Sequence, residues 1–393
     1  MRYRQDKKSG NALSVLGLGC MRLPSDIKKS EALIRAACEG GINYFDTAYI
    51  YGRSEEVLGA VLEKFSLRDK VFIATKLPLV LCKAPGDFDR FFDKELERLR
   101  TGYIDYYLMH MITDLGLWEK FCSWGIEAWI QKKKNEGKIH SIGFSFHGTR
   151  EEFIKVLDAY PWDFCQIQYN YYDENYQAGV TGLKRAAEKG IPVIIMEPLL
   201  GGKLSSGLPK EGAALFGELH AGWSPSRWGL SWLWNQEEVT VVLSGMNDMA
   251  QLSENLLTAG SVSAGCLNSA EQEVFSRVRE VFAASYRIRC TACSYCMPCP
   301  SHVNIPGCFA AYNASYAIGY ITGLKTYIMN AGITSDAMSG PSLCVACGAC
   351  ERHCPQKIPV IESLKAARRR LEPFWFRLGV TLVRAFLGKR AGD

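Results

Sequence analysis

The chain has 393 residues, 48% hydrophobic and 22% charged, a globular composition long enough for two or three domains, which excludes disorder over most of its length. Its formal charge of +5 is local: residues 361–393 carry eight Lys/Arg against three Asp/Glu, so they hold the whole excess. The body is balanced, and no nucleic-acid partner is expected. Eight of the fifteen cysteines lie in two short runs and the rest are scattered, unlike a secreted disulfide framework. The start, MRYRQDKKSGNAL, has no apolar h-region, so a reducing, cytoplasmic location is expected. No apolar stretch reaches the ~18 residues of a membrane span.

From Val15 to about Ala259 a short apolar run, a turn and an amphipathic stretch recur, the pattern of a parallel α/β fold. The predicted strands are Val15–Gly19, Ile42–Asp46, Val71–Lys76, Ile104–His110, Ile139–Ser145, Phe164–Tyr169, Pro192–Glu197 and Val239–Ser244. Predicted helices begin near Lys28, Ser54, Asp87, Gly125, Arg150, Asn175, Pro225 and Asp248. One helix after each of eight strands predicts a (β/α)8 TIM barrel. The rival, an open doubly wound sheet, needs a Gly-x-Gly-x-x-Gly turn, and the nearest candidate, Gly17-Leu-Gly19, lacks the third glycine. A helical stretch, Leu267–Tyr286, ends the first predicted domain, residues 1–286. Residues 287–360, with nine cysteines, form the second, and 361–393 a basic helical tail.

Barrel enzymes react at the C-terminal ends of their strands. Asp46, Lys76 and His110 close the second, third and fourth predicted strands, 30 and 34 residues apart, about one βα unit each. They therefore share one rim, and Tyr51, five residues past Asp46, reaches the same point. A phenol with an ordinary pKa near ~10 donates a proton only if its anion is stabilised, as a neighbouring ammonium does. Lys76 supplies that charge, Asp46 orients it, and His110 hydrogen-bonds a carbonyl oxygen, an arrangement suited to protonating a carbonyl as hydride arrives. Singly, each is more simply an ion-paired or core residue; together they form a catalytic set.

The segments GLGCMRLP, GINYFDTAYIYGRSEEVLG, VFIATK, ELERLRTGYIDYYLMH, GKIHSIGFS, CQIQYN and SGMNDMAQLSEN resemble the aldo/keto reductase family over about residues 12–260. The resemblance places the family's catalytic tetrad on Asp46, Tyr51, Lys76 and His110, and implies NAD(P)(H) as cofactor. It puts the nicotinamide carboxamide on Ser145 and Gln166, the ring against Met196, the pyrophosphate along Leu199, Gly201 and Lys203, and the adenine at Glu254 and Asn255. Phe146 follows Ser145 where the family usually has Asn. Gly245 and Gln251 stand where members preferring the 2′-phosphate carry Lys and Arg, which weakens selectivity for NADPH and makes NADH use plausible.

The cysteine runs are Cys290-x-x-Cys293-x-x-Cys296-x-x-Cys299-Pro300 and Cys344-x-x-Cys347-x-x-Cys350-x-x-x-Cys354-Pro355. The second has the bacterial ferredoxin spacing, in which the fourth cysteine of each run serves the other cluster. That rule gives Cys290, Cys293, Cys296 and Cys354 to one [4Fe-4S] cluster and Cys344, Cys347, Cys350 and Cys299 to a second. The first run is one residue short before its last cysteine, which leaves Cys308 as an alternative to Cys299. Zinc ribbons are the rival reading. Cys20, Cys38, Cys82, Cys122, Cys165 and Cys266 read as small buried apolar residues.

In the tail, Arg377, Thr381 and Arg384 make a narrow polar stripe on an apolar helix, which docks on protein in preference to a peripheral contact with an anionic membrane. Trp118, Phe121 and Trp124 in the loop expected after His110, and the segment 201–223, are expected to shape the substrate pocket, with Tyr49 and His147 near its rim. The whole resembles the bacterial aldo/keto reductases with a C-terminal 4Fe-4S module. The expected function is hydride exchange between nicotinamide and a small carbonyl or alcohol, with the clusters relaying electrons or docking a ferredoxin or flavoprotein partner. The alternative is an iron-sulfur electron-transfer or interaction protein whose barrel is a binding module.

Overall fold

The computed structural model describes residues 1–317, 319–331, 338–376 and 379–380. Contacts divide the chain into two compact units, residues 1–200 with 223–272, and residues 201–222 with the chain from Glu273 on.

The first unit is a closed parallel barrel of β3 (Leu16–Gly19), β4 (Tyr44–Asp46), β5 (Phe72–Leu77), β6 (Ile104–Ile112), β7 (Ile139–Phe146), β8 (Phe164–Gln168), β9 (Val193–Met196) and β10 (Val239–Ser244), with β10 pairing β3 and β9 to close the ring. All eight predicted strands are present. These strands are buried on both faces, inside against one another and outside against helices, so they read as near-continuous apolar runs. Tyr44, Tyr106, Phe164 and Val241 fill the interior, and a larger shell packs between strands and helices.

Two further strands, β1 (Tyr3–Gln5) and β2 (Ala12–Ser14), form an antiparallel hairpin ahead of the barrel. Leu13 of this hairpin joins the interior cluster, and the Tyr106 hydroxyl donates to Asp6 Oδ2 at 2.8 Å. Its strands of three residues, one of them highly polar, carry too little pattern to be read locally. Outside the barrel, the helices Ser54–Lys64 and Asp87–Leu99 approach closely at Gly59: a Cβ there would lie 2.5 Å from the Arg98 carbonyl oxygen and 2.7 Å from Leu99 Cα.

The residues after His110 are not a loop. Asp114 caps the helix Leu115–Ser123, its carboxylate accepting from the Leu117 amide. Trp118 and Phe121 are buried, Trp118 against Tyr160 and Trp162 with ring centroids 5.3 and 4.7 Å apart. They belong to the core packed between strands and helices.

The second unit is helical. It contains Lys210–Leu219, the greater part of Ser269–Ser285, Ile305–Ala317, Tyr320–Asn330, Ala349–His353 and Val360–Leu371. Its core includes Val303, Phe309, Tyr327, Leu364 and Leu371. Phe216 packs on Phe275 at 5.3 Å, and Arg277 pairs with Glu218 at 3.1 Å. Residues 201–222 and most of the helix ending at Ser285 thus go with the cysteine-rich part, a division that differs from the boundary drawn at residue 286. The tail stripe Arg377, Thr381 and Arg384 lies outside the described residues, among which no helix is long and apolar enough to cross a membrane.

Candidate active site and cysteine cavities

Asp46 ends β4, Lys76 is the penultimate residue of β5, and His110 lies near the end of β6. Parallel pairing sets Asp46 against Ala74 and Lys76 against Leu108, so the three side chains gather at one end of three adjacent strands. The Lys76 side chain is 1% exposed. Its Nζ donates to Asp46 Oδ2 at 2.7 Å and to the Thr47 carbonyl at 2.6 Å. The same Nζ lies 5.0 Å from the centroid of the Tyr51 ring, and that ring meets His110 edge-on at 6.0 Å.

Tyr51 rides on a tight turn. Its N–H donates to the Ala48 carbonyl, and its own carbonyl accepts from Ser54 N–H, at 3.0 and 3.1 Å. Thr47 and Ser54 close the turn through their hydroxyls at 2.8 Å. The structure therefore brings the four spacing-derived residues together.

Burial pushes the Asp46 carboxyl up, and the Lys76 ammonium draws it back. Such a pair survives burial because each ion has its counter-charge and the ammonium has a further acceptor in the Thr47 carbonyl. Burial, and then the charges of Lys76 and His147, hold His110 well below the ordinary imidazole range. The ring is neutral at physiological pH and offers an N–H as a hydrogen-bond donor without being an acid.

Ser145 and Gln166 are partners in the β7–β8 register, and both are buried. Ser145 Oγ accepts from Met111 N–H at 2.8 Å, next to His110, and a hydroxyl so engaged still has its own proton to donate. Gln166 Nε2 lies 3.7 Å from Met196 Sδ, while its Oε1 is buried with no hydrogen-bond partner among the described residues. An orphaned amide acceptor beside a serine hydroxyl fits a carboxamide, which has both a donor and an acceptor to satisfy.

Leu199 packs on Gly229, where a Cβ would lie 2.6 Å from its Cδ2. Asn255 Nδ2 donates to Ser244 Oγ at 3.0 Å, with Glu254 beside it on the helix Met249–Ser261. Gln251 is engaged with Asn247 and Asp248 at the start of that helix. Gly201 and Lys203 belong to the second unit, where Lys203 Nζ donates to the Cys290 carbonyl.

In the second unit, Cys290, Cys293, Cys296 and Cys354 line one cavity, and Cys299, Cys344, Cys347 and Cys350 line another. This is the exchanged pairing expected from the spacing. Cys308 is buried in the core, its Sγ turned to the Ser339 carbonyl at 3.9 Å. Burial and the sulfurs of Cys290, Cys293 and Cys354 push the Cys296 thiol up to about 12. Four sulfurs crowded in this way fit a bound cationic iron centre, which favours their thiolates. Of the scattered cysteines, Cys20, Cys82 and Cys165 are buried as expected, whereas Cys266 is exposed.

Glu55 and Arg98, which the sequence did not single out, are both close to this site. Arg98 Nη1 donates to Glu55 Oε2 and to the Tyr49 carbonyl, each at 3.1 Å. An acid in a helix's first turn and an arginine 43 residues later carry no spacing signal that joins them.

The fold and the site agree with the comparisons. The chain belongs to the aldo/keto reductase family, whose pattern matches residues 15–262, and a 4Fe-4S dicluster domain matches residues 289–358. It is similar to the L-galactose dehydrogenase of Arabidopsis thaliana, 28% identical over 300 residues that cover 70% of this chain and 92% of that one. It is similar also to the L-glyceraldehyde 3-phosphate reductase of Escherichia coli O157:H7, 27% identical over 305 residues, 65% and 87% of the two chains. An aldo-keto reductase structure from Bacillus halodurans shares the fold, with a TM-score of 0.60 at 24% identity, covering 71% of this chain and 96% of that one. The protein is thus an aldo/keto reductase-type oxidoreductase, of a family that uses NAD(P)H, with an iron-sulfur domain at its C-terminal end.

The depressed His110 predicts a ring that stays neutral as the pH falls through ~6.5, where an ordinary imidazole protonates. Nitrogen NMR of the imidazole rings checks this. A His110 signal titrating near ~6.5 would contradict it.

Proposed function

We propose that the barrel exchanges hydride between NAD(P)(H) and a carbonyl or alcohol, and that the second unit carries two [4Fe-4S] clusters. The observation that supports the first part is the buried Lys76 ammonium, 2.7 Å from Asp46 and 5.0 Å from the centre of the Tyr51 ring.

The nicotinamide, when bound, supplies or accepts the hydride. Tyr51 holds the proton that the carbonyl oxygen takes up, and its phenolate is stabilised by the adjacent positive charge of Lys76. Asp46 and the Thr47 carbonyl hold and aim that ammonium. His110, neutral, donates its N–H to the same substrate oxygen. In the direction of alcohol oxidation Tyr51 takes the proton back. Ser145 and Gln166 hold the carboxamide, Met196 packs against the ring, Leu199 follows the pyrophosphate, and Glu254 and Asn255 hold the adenine. With Gly245 and Gln251 in place of cations, selectivity for NADPH is weakened and NADH can also be used.

Cys290, Cys293, Cys296 and Cys354 hold one cluster, and Cys299, Cys344, Cys347 and Cys350 the other. Bound clusters of this kind exchange single electrons, and the exposure of Cys347 supports a second cluster accessible to an external ferredoxin or flavoprotein in a reducing cytoplasm.

Tyr51→Phe is expected to lower kcat by about 10²- to 10⁴-fold, read on a carbonyl panel that includes L-galactose and L-glyceraldehyde 3-phosphate, the compounds in the names of two relatives. An unchanged rate would remove the tetrad from the mechanism. Anaerobically purified protein is expected to contain about eight iron and eight sulfide per chain. About two zinc and no sulfide would overturn the cluster assignment.

A further inference from the structure

We propose that Arg98 and Glu55 are positioning residues for Tyr51, acting through the turn that carries it; this rests on the role proposed above for Tyr51. Glu55 is buried and joins two parts of the site. One oxygen accepts from the hydroxyl of Thr75 at 2.6 Å, the residue before Lys76 in β5. The other accepts from Arg98 at 3.1 Å. The same Arg98 Nη1 donates to the Tyr49 carbonyl at 3.1 Å, and the guanidinium stacks on the Tyr49 ring, its carbon 4.2 Å from the centroid. Phe91 supports that ring edge-on at 4.8 Å.

Tyr49 is two residues before Tyr51. The turn is closed at its ends by Thr47 and Ser54, and Ser54 Oγ also donates to the Cys20 carbonyl at 2.9 Å. Arg98 adds to the turn's own backbone bonds a hold on its middle from the neighbouring helix. The backbone of Arg98 is in turn fixed where Gly59 admits it closely. One carboxylate therefore ties the strand carrying the ammonium to the turn carrying the phenol. A flat guanidinium that reaches two acceptors and stacks on a ring is suited to this in a way a lysine is not. The distance between Tyr51 and Lys76 is then set from outside the barrel wall.

A displacement of about 1 Å at a reacting group costs about 10²-fold in rate. Arg98→Met is accordingly expected to lower kcat by about 10²-fold, with the dissociation constant for NADPH within about twofold of wild type. The high-pH limb of the kcat profile, where Tyr51 loses its proton, is expected to move to higher pH, because the phenol stands further from the ammonium. Arg98→Lys, which can reach one of the two acceptors, is expected to recover part of the rate. Because Arg98→Met leaves Glu55 buried without its cation, the double variant Arg98→Met/Glu55→Gln removes that charge, and is expected to melt near the wild-type temperature while remaining slow with the shifted limb. A folded double variant with wild-type kcat would overturn the proposal, as would a slow one whose pH profile is unmoved. Tyr51→Phe keeps the two readings apart: full activity there would remove the role of Tyr51 itself, whatever Arg98 does.

Discussion

The open end of the barrel depends on one buried ion pair. Removing an ammonium from water costs several kcal/mol even after relaxation, yet the Lys76 side chain is 1% exposed. It is tolerated because Asp46 and the Thr47 carbonyl both accept from it at hydrogen-bond distance, and removing one partner of such a pair typically costs about 3–5 kcal/mol. The same charge fixes the state of its neighbours. It acts with burial to keep His110 neutral, and it lies close enough to Tyr51 to stabilise a phenolate. The proposed donor, the proposed acid and the charge that would enable that acid thus follow from one placement.

The rest of the first unit holds that placement. The interior is packed with aromatic and aliphatic side chains, so the strand ends are carried on a solid core. The Tyr51 turn is bonded at both ends, and its middle is held by Arg98. Gln166 Oε1 is left buried without a partner among the described residues, the kind of unmet acceptor that a native fold keeps where a ligand completes it. The second unit has its own logic: two cavities, each lined by three cysteines of one run and the last of the other.

Much of this was legible in the sequence because parallel barrel strands are apolar throughout, and because spacing alone put Asp46, Lys76 and His110 on one rim. The cysteine spacing likewise carried the exchanged pairing. What was not legible is non-local. The hairpin before the barrel is specified by Asp6 meeting Tyr106, 100 residues on. Trp118 and Phe121 looked like pocket residues, whereas Asp114, an N-cap bonded to the Leu117 amide at 2.8 Å, was the local sign of a helix that buries them. Glu55 and Arg98 are joined only by the packing of two helices. Gly201 and Lys203 lie in one run with Leu199, yet the fold assigns them to the other compact unit.

The central claim is that the Lys76 charge makes Tyr51 an acid. Titrating Tyr51 by ring-carbon NMR in selectively labelled wild-type protein and in Lys76→Met measures this directly. The phenol is expected to lose its proton at lower pH in the wild type than in the variant, since a neighbouring ammonium favours the phenolate. Equal titration in the two proteins would contradict the account.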